Sequence, residues 1–493
     1  MLITVLFSAL VALAHGSQYG YQTEYQRYFQ WQDQKALQGI DSLTIERKFD
    51  QRLDHFNKHD NRTFPQRYFE NFRYYRSCGP IFLTVGGEAA VQPTTVADPR
   101  MITTILARQF GGALISLEHR YYGESFPTTN RSNFEFLSSR QAIEDLANFI
   151  QTITEQYRLM RPRYILYGCS YPASLAAWMR SRYPLLSIGA IAVSAPLEVK
   201  MNFEGITLID SYYKAAVSDA IWRISENCAA RLRDAFQLLN AEMQIQDNWP
   251  RVASELGVQT ANTTVPVEYD TEAAHSAITT NFLFALGGHV QNKPSENFRN
   301  EICRDIVLDM RRPLLQMLGN VGKIESVPEY GINAWTYQLC NEFGWFVISS
   351  NSNATSKRTF WPDLFLFNLT VDRASEFCRY SLGEDYATNN INKRVQATQE
   401  YYGSMQQLNT TNVVYVVGEN DPWGPLQMQP QYLKPGNLLV TVKGEKCSRA
   451  ACPTVRENSS VFCTTDHLLS DDTQLTVLAA TLRGLRTFET RNQ

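Results

Sequence analysis

The sequence has no cluster of Lys and Arg, no Cys-x-x-Cys pair, no internal repeat and, beyond its N-terminus, no run approaching 18 apolar residues. Because 46 basic residues balance 49 acidic ones, for a formal charge of -3, nothing favours nucleic acid or an anionic membrane surface as a partner. The lack of a long apolar run excludes a membrane span in the body of the chain. With 44% apolar and 19% charged residues, the composition is that of a globular protein and excludes disorder, collagen and coiled coil.

The N-terminus has the pattern of a removable signal peptide. Residues 2–14 form an apolar run shorter than the ~20 residues of a membrane span, and Ala14-His15-Gly16 is a small-x-small cleavage pattern. A buried N-terminal strand is the alternative interpretation. We predict a signal peptide over residues 1–16 and glycan acceptors at the seven Asn-x-Ser/Thr sites, which are Asn61, Asn130, Asn262, Asn353, Asn368, Asn409 and Asn458.

The nine cysteines are an odd number, so at least one thiol is left over in an oxidising compartment. Cys447, Cys452, Cys463 and His467 come nearest to a zinc site, but their gaps are irregular and the surrounding sequence is polar. A loop closed by a disulfide is favoured over a metal site there. The sequence therefore predicts no metal and no cofactor.

Short apolar runs rich in Val, Ile and Leu are typical of buried strands in a parallel sheet. Such runs cover residues 81–85, 113–117, 164–167, 188–193, 413–417 and 438–442. Between the second and third runs, residues 138–157 carry apolar side chains at helical spacing, and Ser138 is placed to cap them. The alternation of strand, helix and strand predicts an α/β fold.

The periodicity becomes helical from about residue 201 to about residue 380, as in residues 229–243 and 302–318. We interpret this region as a helical cap inserted into a doubly wound sheet, with a pocket between the two parts. The predicted division is an α/β-hydrolase core over residues 45–200, the helical cap over 201–380 and the second part of the core over 381–493.

The third predicted strand leads into a tight turn and a helix start, with Ser170 at the turn. A nucleophilic serine on such a strained turn needs small or preset residues two positions before and after it. Gly168 meets the first need, and Pro172, with its fixed φ, meets the second. Ser170 is therefore the candidate nucleophile, and the Tyr171 N–H is its expected oxyanion donor. An ordinary helix N-cap serine is the alternative.

Several blocks, in order along the chain, carry a family resemblance. They are residues 51–56, 79–83, 86–88, 118–125, 141–145, 168–178 and 421–423. Together they resemble the serine peptidase family that includes lysosomal prolyl carboxypeptidase, the dipeptidyl peptidase of quiescent lymphocytes and thymus-specific serine protease, and Tyr171-Pro172 is most similar to the last type. The family usually has Gly in place of Cys169 and Ala173. Cys169 as the nucleophile is a weaker alternative, because it lies one residue before the apex.

The resemblance implies a Ser-Asp-His triad in which the acid follows a late strand. Asp421 fits, because it follows the predicted strand 413–417 and stands in the family's acid motif. Gly87 is expected to supply the second oxyanion amide, and Glu88 to bind a substrate terminus. The resemblance also implies two disulfides, which are Cys228–Cys303 and Cys340–Cys378.

The histidine of the triad is ambiguous. On an ungapped alignment Cys447 stands in the family's His position, and a thiol does not shuttle a proton as an imidazole does. If residues 445–463 are an insertion, His467 falls in the base position. His55 and His119 break the chain order of the triad, so we assign them structural roles.

Three function hypotheses follow. The first is a serine exopeptidase that cleaves short peptides near Pro or small residues, with Ser170 as nucleophile, His467 as base and Asp421 orienting it. The second is a pseudo-peptidase that binds without cutting, favoured by Cys447, and the third is an esterase on the same fold. The resemblance implies a secreted or lysosomal protein and suggests a homodimer, while no nucleic-acid partner is expected.

Overall fold

The computed structural model describes residues 43–130, 133–201, 213–243, 245–248, 251, 286–287, 290, 303, 334–346, 371–419 and 421–442. The strands are β1 (Thr44–Arg52), β2 (Thr63–Asn71), β3 (Ile81–Val85), β4 (Ala113–Leu117), β5 (Tyr164–Cys169), β6 (Gly189–Val193), β7 (Val413–Gly418) and β8 (Leu438–Val442). The helices are α1 (Thr94–Ala97), α2 (Ile102–Phe110), α3 (Ser139–Gln156), α4 (Tyr171–Arg182), α5 (Tyr213–Ile224), α6 (Glu226–Met243), α7 (Ala334–Gln338), α8 (Val371–Leu382) and α9 (Thr388–Tyr402). A π-helical turn, Leu339–Phe343, follows α7 directly.

These strands form one sheet of eight in the order β1-β2-β4-β3-β5-β6-β7-β8. β2 is antiparallel to both of its neighbours, and all other neighbouring strands are parallel. The order reverses around β3, so the chain winds in both directions from the centre of the sheet. This is the α/β-hydrolase arrangement, and the predicted fold class is confirmed.

The six strands predicted from apolar runs are all present, within two residues at either end. Successive side chains along each strand point alternately into two apolar layers, one on each face of the sheet, as the two-residue period of a strand requires. Leu83, Ile115 and Leu166 pack on the side of α3 and α4, while Phe82 and Leu114 pack on the side of α2. Because both faces of the sheet are covered, continuous apolar runs were the correct signal for these strands.

The predicted crossover helix is α3. Ser138 has extended backbone, and its Oγ accepts a hydrogen bond from the Gln141 N–H at 3.1 Å, which is the expected N-cap. The apolar positions of α3, among them Ile143, Leu146 and Ile150, are buried against the sheet. The cap and the apolar stripe together explain why the helix begins where it does.

β1 and β2 were not predicted. β1 lies at an edge and most of its residues are solvent-accessible, so it lacks the apolar run on which the prediction depended. β2 has a proline, Pro65, at its third position and carries buried polar residues, among them Gln66 and Glu70. Their apolar content is too low for a run-based prediction, and pairing with the sheet decides their conformation instead.

Within the predicted cap, helices α5 to α8 are present, and α6 covers the predicted helix 229–243. The predicted helix 302–318 lies outside the described residues, except for Cys303. The structure pairs Cys228 with Cys303 and Cys340 with Cys378, the two pairings expected from the resemblance. In the described part of the chain, no helix has both the length and the apolar character needed to cross a membrane.

Candidate active site

Ser170 lies at the end of β5 and immediately before α4, with φ 66° and ψ -134°. A positive φ is a strained conformation for a residue with a Cβ, and it persists only where the surroundings enforce it. Here the Ser170 N–H donates to the Val193 carbonyl at 2.9 Å, which extends the β5–β6 ladder by one residue before the chain turns into the helix. The structure thus places Ser170 on the sharp strand-to-helix turn that a nucleophilic serine requires.

Two glycines allow the tight turn at Ser170. A Cβ on Gly168 would lie 2.2 Å from the Pro172 carbonyl oxygen, so only glycine fits beneath the first turn of α4. A Cβ on Gly87 would lie 2.2 Å from Pro172 Cγ, so the loop after β3 also touches this turn. The Gly87 backbone therefore lies beside the N-terminus of α4, where the Tyr171 amide is one of the N–H groups without an intrahelical acceptor.

Cys169 is half-buried and is bonded in a disulfide. A sulfur in a disulfide is not a free thiolate, so the structure gives no support to Cys169 as the nucleophile. Among the described cysteines the two disulfides account for four, and Cys78 is an exposed free thiol. The bonding partner of Cys169 therefore lies outside the described residues.

Asp421 comes three residues after the end of β7 and is buried. Its Oδ1 accepts the Trp423 N–H at 3.0 Å, and its Oδ2 accepts the Gln427 Nε2 amide at 2.6 Å. β5 and β7 are separated by one strand, β6, so their carboxyl ends lie about 10 Å apart. Ser170 and Asp421 are thus at the same edge of the sheet. Gln427 was not predicted to have a role.

Residues 118–125, one of the family-like blocks, form a loop after β4 that is fixed by two buried charges. Glu118 accepts hydrogen bonds from the N–H groups of Glu124 and Ser125 and pairs with Arg67. The guanidinium of Arg120, fully buried, pairs with Asp145 of α3 through two hydrogen bonds of 2.7 and 2.6 Å.

Burial opposes ionisation of Asp145, yet Arg120 and His55 hold the pKa of this carboxyl below its usual value. His55 Nε2 lies 2.8 Å from Asp145 Oδ1. The structural role predicted for His55 agrees with these contacts, which lie at the β1–α3 side of the sheet.

Tyr171 has a buried phenol that contacts both the loop after β4 and helix α7. His119 Nε2 lies 2.9 Å from its hydroxyl, and Gln338 Nε2 donates to the same hydroxyl at 3.1 Å. The rings of Trp335 and Phe343 lie 5.5 and 5.1 Å from the Tyr171 ring. Sequence analysis missed Gln338, although a polar residue among buried aromatic residues of a short helix is a signal for a hydrogen-bonded core position.

Other predicted positions are distributed as follows. Glu88, on the loop with Gly87, is half-buried. Burial and, to a smaller extent, the negative charges of Glu88 and Glu342 raise the pKa of the Tyr122 phenol. The asparagines at three predicted glycan acceptor sites, Asn61, Asn130 and Asn409, are exposed. The signal peptide, the other four acceptor sites, Cys447 and His467 lie outside the described residues.

The sequence is similar to a family of known serine peptidases. The profile of the family described as serine carboxypeptidase S28 matches residues 51–306 and 315–434. Thymus-specific serine protease of Mus musculus is 30% identical over 419 residues, covering 77% of this chain and 77% of that protein. The human protein of the same name is 28% identical over 429 residues, covering 81% and 80%. Lysosomal Pro-X carboxypeptidase of Bos taurus is 24% identical over 420 residues, covering 76% and 77%.

Proposed function

We propose that this chain, which belongs to the serine carboxypeptidase S28 family, is a serine exopeptidase that acts on short peptides through an acyl-enzyme on Ser170. The observation that carries the proposal is the backbone of Ser170, with φ 66° between β5 and α4 and with Gly87 packed against the same turn. This geometry supports a role for the Ser170 hydroxyl as nucleophile, with the amides of Tyr171 and Gly87 as the proposed oxyanion donors. Two such amides are what the developing oxyanion of acyl transfer requires.

In the proposed reaction the Ser170 Oγ attacks the peptide carbonyl carbon while its proton passes to the imidazole of His467. The negative charge that forms on the carbonyl oxygen is bound by the amides of Tyr171 and Gly87. As the C–N bond breaks, the imidazole returns the proton to the leaving amine. Water then hydrolyses the acyl-enzyme, with the same imidazole as base. Asp421 orients the imidazole and stabilises its charged form, and Gln427 holds the Asp421 carboxylate.

Two features support a substrate with an apolar residue such as Pro at the cut bond and a free amino terminus. Trp335 packs against the buried Tyr171 ring and is itself half-buried, so its accessible part offers an apolar face to a pyrrolidine ring. Glu88 carries a carboxylate on the loop that holds the oxyanion amide of Gly87, and a carboxylate attracts an α-ammonium group. We therefore favour cleavage from the amino terminus, as by a dipeptidyl peptidase, over carboxypeptidase action.

The first test is labelling of the purified protein with a fluorophosphonate probe, which reacts only with an activated serine. We expect labelling of the wild type and loss of labelling in Ser170→Ala and His467→Ala. His59→Ala is the matched control, because His59 is exposed on a loop between β1 and β2 and its loss leaves the nucleophile untouched. No labelling of the folded wild type from acidic to neutral pH would overturn the peptidase proposal.

A second experiment tests the direction of cleavage. Substrates of the form X-Pro-amide with a free amino terminus are compared with their N-acetylated forms, in the wild type and in Glu88→Gln. We expect acetylation to lower kcat/KM at least tenfold in the wild type and much less in Glu88→Gln. Equal kcat/KM for the free and the acetylated substrates in the wild type would contradict cleavage from the amino terminus.

The alternative function is binding without catalysis, and the observation that favours it is Cys447 in the family's His position. A chain without a base retains the sheet and the pocket but loses several orders of magnitude in rate. Labelling that is absent while proline-containing peptides still bind would support this alternative.

The predicted compartment and domain division belong to the same proposal. Three exposed acceptor asparagines and two disulfides are compatible with a secreted or lysosomal protein. We expect the N-terminus of the secreted protein to be Ser17 and its mass to fall on treatment with a glycosidase. The core over residues 45–200 and 381–493 with the cap over 201–380, and the homodimer suggested by the resemblance, are tested by limited proteolysis and light scattering.

A further inference from the structure

The hydroxyl of Tyr171 has both of its hydrogen-bonding capacities filled. His119 Nδ1 lies 2.7 Å from the Arg120 carbonyl oxygen, which only accepts, so Nδ1 carries the proton of the imidazole. His119 Nε2 is then the acceptor, and the Tyr171 hydroxyl donates to it at 2.9 Å. Gln338 Nε2 donates to the same hydroxyl at 3.1 Å. The phenol is therefore held from two sides, by the loop after β4 and by the last residue of α7.

Gln338 is itself fixed by its neighbours. Its Oε1 accepts the Tyr122 hydroxyl at 2.7 Å, and its Nε2 donates to Glu342 Oε2 at 3.2 Å. Glu342 also accepts the N–H and the Oγ–H of Ser139, at 2.8 and 2.7 Å. Since Ser139 is the first residue of α3, the carboxylate lies at the N-terminus of an 18-residue helix. This arrangement fixes the orientation of the Gln338 amide, with its oxygen toward Tyr122 and its nitrogen toward Tyr171 and Glu342.

The position of the Tyr171 phenol matters because the backbone N–H of the same residue is the proposed oxyanion donor. Tyr171 follows the strained Ser170 directly and begins α4, so its amide direction depends on how the first turn of α4 is seated. The side chain is fully buried and extends away from that amide toward His119 and Gln338. Hydrogen bonds at the end of a rigid ring restrain rotation of the residue that carries it.

We propose that His119 and Gln338 are positioning residues for acyl transfer, which hold the Tyr171 phenol so that the Tyr171 amide stays directed at the oxyanion. The inference rests on the proposed function of Ser170. It assigns a role in the reaction to residues that the chemistry does not touch, one of them, Gln338, separated from Tyr171 by 167 residues of sequence.

The test compares two buried tyrosines. Tyr171→Phe removes the held hydroxyl and leaves the ring and the amide. Tyr402→Phe is the matched control, because the Tyr402 hydroxyl donates to Ser139 Oγ at 3.0 Å and so makes another buried hydrogen bond, at the far end of the network. The readouts are the rate constant of fluorophosphonate labelling, kcat and KM for a peptide amide, and the melting temperature.

We expect Tyr171→Phe to lower kcat and the labelling rate about tenfold with KM within about twofold, because the oxyanion donor acts only in the transition state. Tyr402→Phe is expected to lower the melting temperature similarly and to leave kcat unchanged. Equal kcat in the two variants would overturn the inference while the wild type is still labelled. A wild type that is not labelled would overturn the proposed function itself.

If Tyr171→Phe does not fold, His119 gives the same comparison. His119→Gln keeps an acceptor for the phenol, whereas His119→Leu does not. We expect the Gln variant to label within about threefold of the wild type and the Leu variant to label about tenfold more slowly. Equal labelling rates in the two variants would contradict the inference.

Discussion

The backbone of Gly87 lies against the ring of Pro172, so that a Cβ on Gly87 would come within 2.2 Å of Pro172 Cγ and 2.5 Å of Pro172 Cδ. This contact joins the loop after β3 to the turn that carries Ser170. The two proposed oxyanion amides, of Gly87 and Tyr171, are therefore set by one packing contact between a residue without a side chain and a residue with a rigid one.

Gly87→Ala is expected to separate the two amides, because the pyrrolidine of Pro172 cannot move aside as a flexible side chain would. Loss of one oxyanion donor costs about 100-fold or more in rate, and we expect a fall of that size in the rate constant of fluorophosphonate labelling. Pro172→Gly removes the obstacle, so the double variant Gly87→Ala/Pro172→Gly should label at least about tenfold faster than Gly87→Ala alone. Strictly additive effects of the two substitutions would contradict this account.

The cysteine that forms a disulfide with Cys169 can be identified chemically. Four of the described cysteines pair with each other and Cys78 is a free thiol, so Cys447, Cys452 and Cys463 are the remaining candidates. We expect a non-reduced digest to contain the peptide of Cys169 linked to a peptide from residues 447–463, and, among the cysteines that the structure describes, only Cys78 to react readily with iodoacetamide. Alkylation of Cys169 without reduction would show that this bond is absent.

Such a bond would connect the neighbour of Ser170 to the part of the chain that holds both candidates for the histidine position. It would also change the interpretation of the late cysteines, which the sequence alone assigned to a loop closed on itself. Cys169 stands where the family usually has Gly, and its side chain forms a disulfide. Sequence reasoning considered only the turn at Ser170 and so did not predict this bond.

The sequence predicted the parts of the fold that one local pattern determines. Apolar runs located β3 to β8, and Ser138 with its apolar stripe located α3, because burial on both faces and helix capping are properties of a few consecutive residues. Gly168 and Pro172 likewise predicted the turn at Ser170. β1 and β2 were missed because pairing with a distant strand, and not their own composition, makes them strands.

Within the site, sequence reasoning could not find contacts between residues far apart in the chain. Gln338 and Glu342 are separated by four residues among aromatic side chains, which indicates one helical face, but nothing in that pattern names Tyr171 or Ser139 as their partners. Gln427 follows Asp421 by six residues, and only the fold of the intervening turn brings its amide to the carboxylate.

The buried pair of Arg120 and Asp145 predicts a large effect on stability. Asp145→Ala leaves a fully buried guanidinium without its carboxylate, which costs about 3–5 kcal/mol of the free energy of unfolding. The control is Glu384→Gln, which removes an exposed partner of Arg379 and should cost less than about 1 kcal/mol. Urea denaturation followed by tryptophan fluorescence measures both. A loss below about 1 kcal/mol for Asp145→Ala would show that water or a rearranged side chain replaces the carboxylate.

The lowered pKa of the buried His119 leads to a prediction of how the free energy of unfolding depends on pH. Burial lowers the pKa of His119 from 6.5 to about 4, and the groups that face its ring are Arg120 and Tyr122 of its own loop, Tyr171 of α4 and Asp145 of α3. Because the folded state disfavours the charged imidazole, its contribution to stability is complete above about pH 6.5 and is lost as the pH falls through about 4.

We therefore expect the free energy of unfolding of the wild type to fall between pH 7 and pH 4 by on the order of 3 kcal/mol more than that of His119→Gln, which has no proton to bind there. Urea denaturation of both proteins at pH 7, 5.5 and 4 measures the difference, and the other titrating groups cancel because both proteins contain them. Parallel pH profiles would mean that the folded protein accepts a proton on His119 as readily as the unfolded chain does. The imidazole could then no longer be the acceptor for Tyr171 across this range, because a charged imidazole donates from both nitrogens.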